Sequence, residues 1–345
     1  MGDMTLEEKH DHLQRLLRGA APVVVAFSGG VDSTFLLAAA HRVLGHDACI
    51  GVTAVSESLP AEELEEAGEI ARQIGAKWVT VRTSEMENPD YRENTNLRCY
   101  YCKTELFGLL QEFARENGFT TVLDGFNADD TGDWRPGGKA AKEKGVRSPL
   151  MEAGLTKQDI RDLSRSFGLS TWNKASFACL ASRLPYGTEI TSERLNRVAA
   201  AESILRKLGF KSFRARYHGH TARIEVGSDE IQRFSDLALA REIREKVAGA
   251  GFSTVTIDLT GFRTGSQNEA PVAASAKPEV LQIDGDRAAL RQIGFPNAKT
   301  AVEGTMVRVA VRAEQFAHIL REDTRGAIAA AMRQNGHTYV AVDIP

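Results

Sequence analysis

Several things are scarce in this sequence, and each scarcity removes a class of protein. Cysteine occurs four times in 345 residues, too thinly for the disulfide frameworks that hold small secreted domains together. No apolar run comes near the roughly 20 residues that a membrane-spanning helix needs. Neither sign of charge is in excess. The 43 Lys and Arg against 46 Asp and Glu give a formal net charge of −3, which removes the electrostatic case for nucleic acid or a membrane surface as partner. The opening stretch, MGDMTLEEKHDHLQRLL, is acidic and amphipathic and lacks the basic-then-apolar layout of a secretory signal. Leu6 stands where a myristoylation site wants Ser or Thr. A cytoplasmic protein is expected.

What is present is an ordinary globular composition, 42% hydrophobic and 26% charged, long enough for two or three cores. Residues 4–18 read as a short helix ahead of Pro22. Val23 to Phe27 is a continuous run of the kind buried on both faces of a sheet. Helix and strand patterns then alternate: Thr34 to Leu44 stopped by Gly45, Ile50 to Val55, Ala61 to Ile74, Trp78 to Arg82, Lys103 to Glu116, and Thr121 to Asp124. The alternation predicts an α/β fold with a doubly wound parallel sheet. Ligands of such sheets bind beyond the carboxyl ends of the strands, where the loops after Phe27, Val55 and Asp124 lie.

From about Leu184 the pattern becomes α+β: helix Ser192 to Leu208, strands Phe213 to Tyr217 and Ala222 to Val226, helix Asp229 to Ala248, strand Thr254 to Leu259. Ser266 to Lys277, SQNEAPVAASAK, is small and polar and reads as a linker. The expected organisation is a domain over 1–182, a smaller α+β domain over 183–265, a linker over 266–279 and an α+β tail over 280–345.

The loop Ser28-Gly-Gly-Val-Asp-Ser33 between a strand and a helix is the most specific local signal. Two glycines let the backbone approach a pyrophosphate, and helix-terminal amides with the Ser28 and Ser33 hydroxyls supply donors. The loop has neither the G-K-[ST] of a Walker A motif nor the spacing of GxGxxG. A carboxylate, Asp32, inside an anion-binding loop makes sense if it holds Mg2+ against the phosphates. The competing interpretation is a glycine-rich turn with a capping serine.

At these residues the chain resembles the PP-loop ATP pyrophosphatases, which cleave ATP to AMP and pyrophosphate through an adenylated substrate. The resemblance implies nucleotide contacts at Ser28, Gly29, Gly30, Asp32 and Ser33, and at Gly125 in the stretch Leu123-Asp-Gly-Phe-Asn-Ala-Asp-Asp130. Asp129, Asp130 and Asp133 are candidates for the metal side of that site, or plain solvated carboxylates. Three further stretches narrow the resemblance: Asp133 to Gly137, Trp172 to Thr188, and Phe213-Arg-Ala-Arg-Tyr-His218 with Ala222 to Glu225. Together with SGGVDS they look like the LarE family, the ATP-dependent sulfur transferases of nickel-pincer nucleotide synthesis, over about residues 10–265. That implies a pyridinium dicarboxylate mononucleotide as substrate. One carboxylate is adenylated, attacked by sulfur and released as a thiocarboxylate. A homo-oligomer, possibly a hexamer, is also implied.

Arg214 and Arg216 are two apart on a strand and so share a face, a pair suited to gripping a substrate phosphate with forked hydrogen bonds. A solvated strand face is the plainer alternative. Glu202, Glu225 and Arg263 fall where the family places polar site residues, and Arg183 is a candidate contact to the adenylate or the substrate phosphate. Arg233 stands where an acidic residue is expected. His218 and His220 are a possible metal pair or simply exposed.

Cys99 and Cys102 form Arg98-Cys-Tyr-Tyr-Cys-Lys103 ahead of a helix, and Cys179 lies at the far end of the same domain. A helix N-terminus with Arg98 and Lys103 alongside is expected to favour thiolates. A redox pair needs no third cysteine, and zinc normally wants a fourth ligand. A [4Fe–4S] cluster on three cysteines leaves one iron open for a hydrosulfide, the reading the resemblance favours. Sacrifice of the Cys179 sulfur is the alternative within the family. Cys49 opens an apolar strand and reads as a core thiol.

Two other classes stay open. A tRNA thiolase would want a basic excess, and a glutamine-fed amide synthetase a glutaminase domain. A non-catalytic nucleotide-binding module needs none of the cysteines and paired arginines together.

One pattern owes nothing to resemblance. An offset of 85 residues places Leu205-Arg206 on Leu290-Arg291 and Gly209-Phe210 on Gly294-Phe295. It also places Gly219 on Gly304, Arg223 on Arg308, Val226 on Val311, Gly251 on Gly336, Val255 on Val340 and Asp258 on Asp343. The tail over 280–345 is therefore expected to repeat the plan of about 192–260. The polar candidates do not repeat: Glu202 meets Arg287, Arg216 meets Ala301 and Glu225 meets Ala310, while Arg214 meets Lys299. The tail is expected to serve packing or assembly.

Overall fold

The computed structural model describes residues 4–132, 136–174, 178–263, 265–266 and 279–345. Asp133 and most of the expected linker lie outside the described residues. The chain divides into two units, Met1–Cys179 with Tyr186–Thr191, and Leu180–Pro185 with Ser192–Pro345. Among the described residues no helix is long and apolar enough to cross a membrane.

The first unit opens with α1 (Leu6–Ala20), capped by Thr5 and Glu8. Four parallel strands follow, β1 (Val23–Ala26), β2 (Cys49–Val55), β3 (Lys77–Arg82) and β4 (Thr121–Leu123), in the order β3-β2-β1-β4. Helix α2 (Val31–Leu44) links β1 to β2, and α3 (Ala61–Ile74) links β2 to β3. After α4 (Pro89–Arg92), α5 (Arg98–Glu116) carries the chain across to β4 on the other side of β1. The order of strands therefore reverses between β1 and β4, the place where open α/β sheets bind ligands. Alternation in β1 splits the core: Val23 and Val25 pack with α1 and α2 residues, Val24 with Phe107 and Leu110 of α5. Three short helices, α6 (Pro136–Glu143), α7 (Pro149–Glu152) and α8 (Lys157–Ser166), complete the unit. Of these, α8 is set by a Thr156–Asp159 capping box.

Three boundaries differ from expectation. Helix α2 begins at Val31 with Gly30 as its N-cap, so Asp32 and Ser33 occupy its first turn. Helix α5 begins at Arg98, so Cys99 and Cys102 lie within it rather than ahead of it. The helix expected from Asp229 is interrupted at Asp236, whose carboxylate accepts from Ala238 N at 2.9 Å and starts α10 (Leu237–Gly249).

In the second unit α9 (Ser192–Lys207), β5 (Phe213–His218), β6 (Thr221–Val226), α10 and β7 (Thr254–Asp258) are followed by α11 (Glu279–Ile293) and β8 (Lys299–Glu303). Then come β9 (Met306–Ala310), α12 (Ala313–Ile319), α13 (Glu322–Gln334) and β10 (Tyr339–Asp343). All six strands form one sheet in the order β5-β6-β7-β10-β9-β8. Shifting α10 and β7 by 85 residues gives the bounds of α13 and β10. Register follows as well: Arg214 opposite Glu225 becomes Lys299 opposite Ala310, and Arg223 beside Thr256 becomes Arg308 beside Ala341. Gly219 and Gly304 turn the two hairpins at φ 59° and 58°. At the centre β7 and β10 run antiparallel, with Ile257 opposite Val342 flanked by Thr256–Asp343 and Asp258–Ala341. Under the offset that pairing maps onto itself, so Ile257 and Val342 mark an internal two-fold axis.

Candidate active site

The loop after β1 is held by its own hydroxyls. Ser33 Oγ lies 3.0 Å from Ser28 Oγ, accepts from Ser28 N at 3.2 Å and donates to Gly30 O at 3.2 Å. Gly29 sits at φ 70°, and a side chain there would stand 3.1 Å from Ala67 Cβ on α3. A Cβ on Gly125, past the end of β4, would stand 3.2 Å from Ser33 N and 3.3 Å from Asp32 Cβ. Bare backbone at both places brings the switch-point loops together around the N-terminus of α2, whose amide dipoles favour an anion.

Two cations and a carboxylate network line this loop. Asp32 accepts from Lys157 Nζ at 2.5 Å and from Asn127 Nδ2 at 3.4 Å. The Lys157 amide donates to Asp129 at 2.8 Å, and Asp130 accepts from Asn127 N at 3.1 Å. Lys174 pairs with Glu63 at 3.0 Å and Glu66 at 2.8 Å, and its ammonium lies 3.5 Å from Gly29 O. Asp124 is buried, and burial pushes its carboxyl up to about 6 despite a hydrogen bond from Ser148 and the nearby Lys103 charge. Its Oδ2 has no hydrogen-bond partner among the described residues. Asp32, with a quarter of its side chain open to solvent, fits Mg2+, which takes one or two carboxylates and fills its other positions from phosphates and water.

The thiols gather around Arg98 and Tyr91. Burial opposes the Arg98 charge, but Cys179, Cys99, Tyr186 and Tyr91 surround it and raise its pKa overall. Burial first, then Cys179 and Cys102, raise the Tyr91 hydroxyl. Cys99 is exposed, while Cys102 and Cys179 are partly buried. The expected thiolate does not hold at Cys102: burial pushes it up to about 12, and Lys103 offsets only part of that. Among the described residues, no three Cys, His, Asp or Glu side chains stand close enough to hold a metal ion between them. The three thiols are thus electrostatic neighbours without being a ready-made cluster site. Cys49 is a core thiol, fully buried.

In the second unit buried charge concentrates on β5 and β6. Arg183 Nε and Nη2 donate to the two oxygens of Glu202 at 2.8 and 2.9 Å, and Glu202 also accepts from Ala215 N at 3.0 Å. Arg183, a candidate phosphate contact, is wholly buried against that carboxylate. Arg216 donates to Glu225 Oε2 at 3.0–3.1 Å, to Ser182 O at 3.0 Å and to Ser266 Oγ at 3.0 Å. Arg223 pairs with Glu225 at 3.0 Å and with Asp258. Arg214 lies 4.8 Å over the Phe262 ring and donates to Phe213 O at 2.6 Å. Burial, then the Arg183 cation, bring Arg214 down to about 10, with Arg216 adding to the effect. Among the described residues, four guanidiniums here stand with three carboxylates, an excess of one positive charge that suits an anionic ligand. Arg263 donates to Thr260 Oγ1. Arg233 pairs with Glu230 at 3.1 Å. His218 accepts from Arg223 Nε at 3.3 Å, so it is engaged by a cation and not poised for a metal.

Ser28 to Ser33 and Gly125 are therefore brought together in the first unit, and Arg183, Glu202, Arg214, Arg216 and Glu225 in the second. Sequence reasoning missed Asn127, Lys157, Lys174, Asp124, Ser266 and Tyr339. Asp124 and Asn127 do lie in the Leu123–Asp130 stretch and Lys174 in Trp172–Thr188, both read as family motifs, while Lys157 carried the Thr-Lys-x-Asp start of a capped helix.

The asparagine synthase family model matches residues 10–173. An uncharacterized protein of Synechocystis is 44% identical over 263 residues, 76% of this chain and 98% of the relative. Pyridinium-3,5-bisthiocarboxylic acid mononucleotide synthase of Lactiplantibacillus plantarum is 39% identical over 265 residues, 77% of this chain and 95% of its own length. An uncharacterized protein of Methanocaldococcus jannaschii is 27% identical over 244 residues. With nearly the whole of that synthase matched at such identity, this chain belongs to the LarE family.

Proposed function

We propose that this protein is an ATP-dependent sulfur transferase that acts on pyridinium-3,5-biscarboxylic acid mononucleotide. The observation that carries the reading is the switch-point loop, where Asp32, Lys157 and helix-terminal amides converge on the space a pyrophosphate would fill. A substrate carboxylate oxygen attacks the α-phosphorus of ATP, and pyrophosphate leaves. In this reading Lys157 and Lys174, paired with Asp32 and with Glu63 and Glu66 in the resting site, turn to the charge that develops on the leaving group. Mg2+ on Asp32 would supply further neutralisation. A sulfur nucleophile then attacks the acyl carbon, AMP departs, and the thiocarboxylate remains. We assign activation to the first unit and recognition of the substrate phosphate by Arg214 and Arg216 to the second.

Cys99, Cys102 and Cys179 are the sulfur-handling set in this reading. The family resemblance favours a [4Fe–4S] cluster on them, but the thiols as placed do not close around one, and no step is drawn through it. Iron content of anaerobically purified protein and the mass of the protein after turnover separate a cluster from sacrifice of Cys179, which removes about 34 Da as the cysteine becomes dehydroalanine.

The test of the activity itself is product analysis with ATP, Mg2+, a sulfur source and the dicarboxylate mononucleotide. AMP, pyrophosphate and the thiocarboxylate are expected. Asp32→Asn should lower turnover by about 100-fold or more with an unchanged melting temperature. ADP and inorganic phosphate as products would sink the reading.

A further inference from the structure

The sequence of the tail points to packing or assembly, because Glu202, Glu225 and Arg216 have no counterpart there and Arg214 is replaced by a lysine. One tail residue nonetheless reaches the arginine cluster of the first copy. Tyr339, the first residue of β10, is buried, and its ring lies under the Arg223 guanidinium at 4.0 Å. Its hydroxyl donates to Ser266 O at 3.1 Å. The Ser266 hydroxyl in turn donates to Glu225 at 3.1–3.3 Å and accepts from Arg216 Nη2 at 3.0 Å. Glu225 is fully buried and is clamped between Arg216 and Arg223. Tyr339 thus braces the Arg216–Glu225 pair by two routes, through Ser266 on one side and through Arg223 on the other.

We propose that Tyr339 is a positioning residue for substrate recognition, supplied by the tail to the arginine pair of the first copy. The proposal rests on the reading that Arg214 and Arg216 bind the phosphate of the mononucleotide. Arg223 Nη2 has no hydrogen-bond partner among the described residues; the face of the Tyr339 ring lies against the guanidinium and adds to what Glu225 and Asp258 supply. Position matters as much as presence. The residue that corresponds to Tyr339 in the first copy is Thr254, the first residue of β7, too short to reach across β10 to Arg308, so the brace runs in one direction only. Glu225, Ser182 and Ser266 take all but one of the Arg216 N–H groups, and the one left on Nη1 is thereby aimed along a defined line, ready to donate to a phosphate beside Arg214.

The hydroxyl and the ring can be removed separately in the full chain. Tyr339→Phe keeps the ring under Arg223 and deletes the bond to Ser266. It should raise the KM for the mononucleotide about fivefold, with kcat and the KM for ATP unchanged. Tyr339→Leu should raise the mononucleotide KM about 20-fold. A rise confined to the mononucleotide KM, larger for Leu than for Phe, supports the proposal. An unchanged mononucleotide KM, whether or not the protein melts earlier, overturns it, as does an equal rise in both KM values. Arg216→Lys is the control on the underlying reading. If that variant binds the mononucleotide normally, the phosphate assignment fails. If it binds weakly while both Tyr339 variants bind normally, only the role of Tyr339 falls.

Discussion

Arg223 pairs with Asp258 across β6 and β7, and Arg308 pairs with Asp343 across β9 and β10, at positions 85 residues apart. The first pair is wholly buried. The second leaves 17% of the arginine and 27% of the aspartate side chain in solvent. The pair survives in both copies although only one copy has Arg216 and Glu225 beside it, so its duty is to the sheet and not to a ligand. What is buried and present in one copy alone, Glu202, Arg214, Arg216 and Glu225, is the part that sheet formation does not require. Two copies under one packing constraint thereby separate scaffold from site without reference to any other protein.

That comparison can be broken most forcefully at the shared pair. Arg223→Ala strands Asp258 and Glu225 in the interior and should destabilise the protein by about 3–5 kcal/mol. Arg308→Ala, with its partners a quarter to a third open to water, should cost about 1 kcal/mol. Urea unfolding measures both, and equal losses would show that the copies are not packed differently.

A smaller effect tests His218. Burial first, then the Arg223 and Arg216 charges, hold it down to about 3. A depressed pKa contributes stability that is present above the ordinary value near 6.5 and is lost as pH falls. Between pH 7 and pH 5 the loss should be about 1–2 kcal/mol, given that the ring is only partly buried. His218→Gln should flatten that slope, whereas a slope unchanged in the variant removes His218 as its origin. The corresponding tail residue, Glu303, is a carboxylate paired with Arg308.

The smallest effect is expected at Lys299, where the tail keeps the charge of one site residue, Arg214. Lys299 is exposed where Arg214 is buried. Lys299→Ala should move stability by less than about 0.5 kcal/mol and leave the mononucleotide KM alone. Arg214→Ala should raise that KM about tenfold or more. Comparable KM changes from the two substitutions would erase the distinction between the copies.

Much of this was legible in the sequence because it rests on short-range rules. The β1 run, the SGGVDS loop and the 85-residue echo depend on apolar periodicity, glycine placement and turn chemistry, all of which are local. What could not be read depends on partners far along the chain. Lys157 meets Asp32 across 125 residues, and no spacing rule announces that. Cys102 has the basic neighbours of a thiolate, yet burial outweighs them. Tyr339 reads as an ordinary strand residue, and only the meeting of β7 with β10 gives it Arg223 and Ser266 as neighbours.

The axis through Ile257 and Val342 has a further consequence. When two separate copies pair, their association is second order and fails on dilution; here both halves belong to one covalent chain, so the pairing is independent of concentration. A symmetric dimer of identical chains must also accept each substitution twice, once on either side of its axis. Covalent union lifts that obligation: Tyr339 stands on one side while its mate is still Thr254, and the central strand pair can be lopsided without a second gene product to make it so.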